Sequence, residues 1–513
     1  MPHVPDSSIQ AWVAKAENTG LFTGEGFSEN VLQHSAVKSL LYPLSVQKNN
    51  QAVYALLKMN GQNIMGIFGN KHTGVGFEGT ERNISPDLYA FFCPLTHKNA
   101  VLIRKTLPFT APSLIAGTKA TIGLGDRLGI AGPGHIRMVR GHSAAPVLAQ
   151  QSIRETDLTQ RTYEDVLDSS TWAVFQEGYT GPWGADGDHI KTEERVRKIL
   201  KVGFTMITAD VSDHLKNEIS VMTETEILNV YKGLDEDYRK RIEKKYLPVE
   251  LELDIGESIA FSNLDLARIS LTYKEAIEHA ERLYNAAVDE KGEDAFDFEL
   301  SVDESSAPTS PQAHLFIANE ICEANIKVSS VAPRFVGEFQ KAIDYIGDLD
   351  AFKRSFRTHA ALARYFGYKI SVHSGSDKFS VFPVIGELSR GRFHIKTSGT
   401  NWLEAVKVIA RKDPGLYREL HRKALLTFDR ATKYYHVTTN IKKVPDLSTL
   451  RDGQLHELFN NPDARQLIHI TYGEILSDPL FKERFFYSIE KHIEEYWKSL
   501  EAHVGRHLDL LGV

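Results

Sequence analysis

Asp213 and His214 are adjacent and follow an apolar run, Phe204-Thr205-Met206-Ile207-Thr208-Ala209. A neutral imidazole is a good ligand for zinc, nickel or manganese, and a carboxylate beside it is placed to take a proton from a bound substrate. His373, in Val372-His373-Ser374-Gly375-Ser376, and His436, in Tyr435-His436-Val437-Thr438, also follow strand-like runs. One strand-end histidine is usually a hydrogen-bonded structural residue. Three at comparable positions point to a divalent metal cation, its identity left open among zinc, nickel and manganese. Asp303 and Glu304, after Phe298-Glu299-Leu300-Ser301-Val302, can ligate or serve as the opposing acid or base.

Cations and hydroxyls gather at similar positions. Lys378, Lys396 and Arg334 suit capture of an anionic substrate, and equally suit surface ion pairs. Asp377 precedes Lys378, and Gln176 follows Ala173-Val174-Phe175. Thr397-Ser398-Gly399-Thr400-Asn401 offers amides ahead of a helix, as anion-binding turns do. Gly123-Leu124-Gly125-Asp126-Arg127-Leu128-Gly129 has the look of a dinucleotide loop. That motif needs a helix directly after it, and Ile130-Ala131-Gly132-Pro133-Gly134-His135 reads as blocking one. The cluster can still carry Asp126, Arg127 and His135 to a site. Residues 184–191 lack the spaced ligands and closing Glu of a calcium loop, and read as a substrate-contacting loop with His189 and Lys191 on one side.

These side chains can act together only if one scaffold ends its strands at one face. Strand-like apolar runs recur at 121–130, 173–176, 204–210, 296–302, 327–332, 369–373, 393–397 and 434–438. Amphipathic stretches at 193–201, 273–288, 311–324, 352–367 and 402–409 lie between several of them. This alternation predicts a parallel sheet of the α/β class. Eight units favour a (β/α)8 TIM-type barrel over an open doubly wound sheet, and barrel chemistry sits at the C-terminal strand ends. Runs at 52–57, 63–68, 88–93 and 100–104 predict a small β-rich unit, preceded by short amphipathic helices over 1–45. The expected division is an N-terminal helical and β-rich accessory region at 1–115, a catalytic barrel at 116–475 and a C-terminal helix at 476–513. The charged stretch 211–252 reads as the largest insertion.

Composition narrows the classes. The 513 residues exceed one ordinary domain, and 42% hydrophobic content supplies a large core. Sixty Lys+Arg against 67 Asp+Glu leave a net charge of −7, which argues against nucleic-acid binding. Two cysteines, Cys93 and Cys322, cannot build a disulfide framework, and suggest a reducing compartment. No apolar run approaches the ~20 residues that cross a bilayer, and the first residues lack a signal-peptide pattern. A cytoplasmic protein free of membrane contact is expected, with a homo-oligomer as an open option.

Three segments together resemble the tagaturonate epimerases: Thr208-Ala209-Asp210-Val211-Ser212-Asp213-His214, Ser371-Val372-His373-Ser374-Gly375-Ser376-Asp377-Lys378, and Gly125-Asp126-Arg127-Leu128-Gly129 with Pro133-Gly134-His135. The resemblance spans roughly residues 118–475. The Asp-His pair is also similar to that of the class II metal-dependent aldolases, an analogy between sites. The resemblance implies a metal-dependent barrel enzyme that interconverts D-tagaturonate and D-fructuronate, small sugar acids, by retro-aldol and aldol chemistry. It implies Asp213 as base and Glu304 as the group returning the proton. His214, His373 and His436 would hold the metal, and Lys378, Lys396, Arg334, Asp377, His135 and Gln176 would meet the substrate. A metal-dependent aldolase or ketose isomerase acting on sugar acids is the alternative.

Overall fold

The computed structural model describes residues 41–49, 52–59, 61–85 and 88–513. The helices expected over 1–45 lie, as far as residue 40, outside the described residues. The chain divides into two compact units. One takes residues up to Pro112 together with Glu164–Gly181, and the other takes Ser113–Tyr163 and Pro182–Val513.

In the first unit, apolar runs separated by turns give an antiparallel sheet of five strands. They are β1 (Gln47–Lys48), β2 (Ala52–Met59), β3 (Gln62–Gly69), β4 (Thr80–Ser85) and β5 (Leu88–Pro94), in the order β1-β2-β3-β5-β4. Tyr54, Leu56, Met65 and Ile67 share a core with Ala100, Ile103, Trp172 and Phe175. Two expectations fail here. Residues 100–104, read as a strand, lie in the helix His97–Thr106, where the Thr96 side chain accepts the Asn99 amide as its cap. Residues 173–176, read as a barrel strand, lie in the helix Tyr163–Glu177. A run of four apolar residues fits either state, and the length of the surrounding pattern decides. Gln176 therefore sits on a helix of this unit, donating to Glu177 Oε1 at 3.2 Å.

The second unit is a closed barrel of parallel strands: β6 (Ala120–Leu124), β7 (Ala145–Ser152), β8 (Gly184–Ile190), β9 (Met206–Asp210) and, after a small hairpin of β10 (Glu250–Glu252) and β11 (Ser258–Ala260), β12 (Asp297–Ser301), β13 (Ser330–Ala332), β14 (Lys369–Val372) and β15 (Phe393–Thr397). β9 pairs β12 and β15 returns to β6, which closes the ring. Nearly every strand residue is buried, as barrel strands covered by helices require. Ile115 plugs the N-terminal end against Ala145, Val147 and Met206. Asp297 accepts the Ile115 and Ala116 amides at 2.7 and 3.1 Å, and Lys369 Nζ donates to Ile115 O at 2.9 Å. Chemistry is left to the opposite end.

β7 and β8 were not among the expected strands, because Pro146, Gln150, Gln151, Asp186, Gly187 and Asp188 mask any apolar alternation. Conversely, 434–438 forms no strand: with β15 paired to β6, the barrel has no free edge. The segment after Gly129 also differs from expectation. An α-helix runs Gly132–Val139, since a proline in the first turn loses no intrahelical hydrogen bond. A Cβ on Gly134 would lie 3.0 Å from the Trp497 backbone, so glycine permits the final helix Ile493–Leu511 to close on this one. Over 476–513, where one C-terminal helix is expected, two run, Pro479–Lys491, which buries Phe485 and Ile489, and Ile493–Leu511. No helix among the described residues is long and apolar enough to cross a membrane.

Candidate active site

The C-terminal ends of β7, β8, β12, β13, β14 and β15 surround a cavity of about 630 Å³. Lys396 on β15 lies at its base. Its Nζ stands 2.6 Å from Asp188 Oδ1, 2.8 Å from Asp186 Oδ2 and 3.2 Å from Glu299 Oε1, and it also contacts Thr208 Oγ1. Burial alone would lower the Lys396 pKa, but the three carboxylates outweigh it and push it well above the usual lysine value. The same ammonium overcomes the burial of Asp188 and holds its pKa down to about 2, with His189 assisting. A Cβ on Gly123 would lie 1.7 Å from Gln150 Oε1, so glycine there lets Gln150 turn into the barrel.

Above this layer, His189, Asp303 and His373 each present a ligand atom, all within 4.8 Å of one another. His189, Asp210 and Glu304 form an overlapping set of the same kind. His189 lies where β8 loses register with β9, between Gly187 and Ile190, with φ at 55°. A left-handed non-glycine residue costs local free energy, and such residues concentrate at working sites. The bulge aims His189 Nδ1 at Asp210 Oδ2, 3.0 Å away. His373 Nε2 contacts Glu299 Oε1 at 2.7 Å, while its buried Nδ1 makes no hydrogen bond of acceptable geometry and lies 3.3 Å from Asp303 Oδ2. Burial disfavours the His373 imidazolium, but Asp303 and Glu299 raise its pKa to about 10. That negative field would equally hold a divalent cation in place of the proton. Two imidazoles and one carboxylate in the first set, with one imidazole and two carboxylates in the overlapping one, fit such an ion.

The residues expected from sequence divide clearly. His373, Glu304, Arg334, Lys396 and His436 line the cavity. His436 lies on its exposed side, 77% exposed and 3.9 Å from Glu338, and belongs to neither donor set. Asp213 and His214 are not brought in. β9 ends at Asp210 and the chain turns through a short 3-10 segment, Ser212–His214. Asp213 is 67% exposed and paired with Lys191 at 2.7 Å. His214 stacks on His279, centroids 4.0 Å apart. The Asp-His pair at the third barrel strand is Asp188-His189.

Lys378 is buried, with its Nζ donating to the carbonyls of Gln340, Ile343 and Ser376 at 2.7, 2.6 and 2.9 Å. Asp377 pairs with Arg465 at 2.8 Å and His503 at 2.5 Å. His507 Nε2 accepts the Asp377 amide and its Nδ1 donates to His503 O, so both nitrogens serve structure. His135 is buried on the helix Gly132–Val139, where burial lowers its pKa to about 4 against the pull of Asp126. Asp126 itself accepts the amides of Leu128, Gly129 and Ala131, which occupies the loop that resembled a dinucleotide site. The sequence singles out His189, in a substrate-contacting loop over 184–191, but not Asp186, Asp188 or Glu299. The cue available was the Asp-His pair inside 184–191.

A family model described as tagaturonate epimerase matches residues 42–511. The tagaturonate/fructuronate epimerase of Thermotoga maritima is 42% identical over 474 residues, covering 92% of this chain and 96% of that protein. Crystal structures of fructuronate-tagaturonate epimerase from Cohnella laeviribosi, native and with one glycerol, superpose with a TM-score of 0.90 at 44% identity, covering 94% of this chain and 99% of theirs.

Proposed function

The chain belongs to the tagaturonate epimerase family, and on that premise we propose that it interconverts D-tagaturonate and D-fructuronate. One observation carries the reading. A donor set suited to a cation, His189, Asp303 and His373, shares one barrel end with two cavity-facing carboxylates, Asp188 and Glu304.

The two ketohexuronates differ at the carbon β to the ketone. Loss of an α proton cannot invert that centre. Breaking the bond between the α and β carbons can. A base removes the β-hydroxyl proton, that oxygen becomes an aldehyde, and the bonding pair passes to the α carbon as an enediolate. The aldehyde presents its other face, the bond reforms, and the proton returns to the oxygen. A divalent cation held by His189, Asp303 and His373 would act as a Lewis acid, easing negative charge on the substrate oxygens and lowering their proton affinity.

The chain's own residues would move the proton. Asp188 adjoins His189 and Glu304 adjoins Asp303, so each carboxylate flanks the donor set. We assign them to the hydroxyls of the two epimers, one taking the proton and the other returning it. Lys396 keeps Asp188 ionised and fixes its direction. This replaces the Asp213 assignment.

The test is D-tagaturonate formation from D-fructuronate, with protein stripped by chelator and then restored with manganese, nickel or zinc. Turnover lost on stripping and regained with metal is expected. Turnover surviving verified stripping would remove the metal from the mechanism, and no turnover in any form would overturn the substrate.

A further inference from the structure

The cations around the cavity are not equivalent. Lys396 is committed to three carboxylates, and Lys378, which does not line the cavity, has spent all three N–H bonds on carbonyls. Arg334 donates to Ser305 O and Arg154 to Tyr434 O. Lys341 also lines the cavity, yet among the described residues its ammonium has no ion pair and no hydrogen bond. Burial lowers its pKa from the usual lysine value, with Glu155 opposing. An unmatched ammonium of this kind gains from an anion.

Its neighbour supplies a second donor. Gln340 lines the same cavity and is 4% exposed. Its Oε1 accepts from Thr438 N, Thr438 Oγ1 and Gln466 Nε2 at 3.0, 3.0 and 3.1 Å. A backbone amide can only donate, so this contact fixes which end of the side-chain amide is oxygen. Gln340 Nε2 is left buried without a partner. Buried donors are normally satisfied, and an orphan beside a cavity marks a missing acceptor. One ammonium and one amide, each unpartnered and both from residues that line one cavity, match a carboxylate.

We propose that Lys341 Nζ and Gln340 Nε2 seat the carboxylate of the substrate, and that this seat retains the aldehyde fragment while it turns. The proposal rests on the retro-aldol reading above. In that step the bond between the α and β carbons breaks and its electron pair stays on the α carbon. The β-hydroxyl proton goes to the base. The ketone piece is an enediolate which, if protonated and lost, is dihydroxyacetone. The other piece is a three-carbon hydroxyaldehyde that carries the carboxylate. The turning fragment is therefore the one Lys341 would hold. Without the tether it escapes, and the epimerase becomes an aldolase.

The experiment uses the full-length, metal-loaded protein with D-fructuronate. It follows D-tagaturonate by chromatography and free dihydroxyacetone by a reductase-linked assay. For Lys341→Met we expect KM to rise on the order of 10- to 100-fold, as when a charged hydrogen bond is lost, and dihydroxyacetone to appear in excess of wild type. Lys341→Arg should recover most of the KM change and suppress the release. Lys341→Gln gives the same readouts if the methionine variant does not fold. Unchanged KM with no free dihydroxyacetone overturns the carboxylate seat. Raised KM without release overturns the tether. A wild type that does not epimerise overturns the functional reading beneath both.

Discussion

His189 and His373 meet edge to face, ring centroids 5.1 Å apart, although one belongs to β8 and the other follows β14. Barrel closure alone makes them neighbours, and it brings Asp303 from the end of β12 to the same point. If the three serve one cation, each single exchange to alanine removes a donor atom. We expect His189→Ala and His373→Ala each to lose metal on dialysis against a mild chelator, measured by atomic emission, while the folded circular dichroism signal persists. Full metal retention by both variants would exclude this donor set.

The two Asp-His pairs of the chain make opposite claims on the chemistry. Asp188 lines the cavity, whereas Asp213 is exposed and held by Lys191. Asp188→Asn should lower kcat on the order of 10²- to 10⁴-fold, the range for removal of a general base. Asp213→Asn should retain near wild-type kcat and KM. The reverse ranking would return the proton to Asp213.

These two pairs also show what the sequence makes legible. β9, β12, β14 and β15 stand out because an apolar residue recurs at every second position or closer and polar residues follow each run. The barrel and its working end follow from that texture. β8 does not stand out, because Asp186, Gly187, Asp188 and His189 have a loop's composition. They form a buried strand because Lys396, on β15, neutralises Asp186 and Asp188 from across the barrel. No local window contains that compensation. Asp213-His214 misleads for the converse reason, since one short turn after Asp210 decides which carboxylate faces inward. The seat at Gln340 and Lys341 is equally hidden, because the residues that fix Gln340 come from 438 and 466.

Lys396 is as much a structural residue as a site residue. Its side chain is 5% exposed, and it faces three carboxylates that are 9% exposed or less. Removing one partner of a buried charge network typically costs about 3–5 kcal/mol. Lys396→Met should therefore lower the urea midpoint by that free energy divided by the m-value, in addition to abolishing turnover. Adding Asp186→Asn removes one of the orphaned charges, and the double variant should regain part of the loss. A midpoint unmoved by Lys396→Met would mean that water reaches these carboxylates.

The final helix is fastened by a pair whose pH dependence has a definite sign. His503 Nε2 lies 2.5 Å from Asp377 Oδ1, and its Nδ1 lies 3.4 Å from Glu404 Oε1. Burial opposes the imidazolium, but Asp377 and then Glu404 raise the His503 pKa, with Arg465 working against them. Asp377, buried yet beside Arg465 and His503, is held well below the usual aspartate value. A raised histidine contributes stability that is complete below its unfolded pKa of about 6.5 and fades as pH rises through the folded value. A depressed aspartate contributes above its unfolded pKa of about 3.8 and fades as pH falls through the folded value. Both contributions coexist between those limits. The Tm difference between wild type and His503→Gln should therefore be largest near pH 5 to 6 and shrink toward pH 9, measured by calorimetry with chelator present in both samples. A difference that is flat with pH, or grows as pH rises, would mean that His503 fastens the helix as a neutral ring.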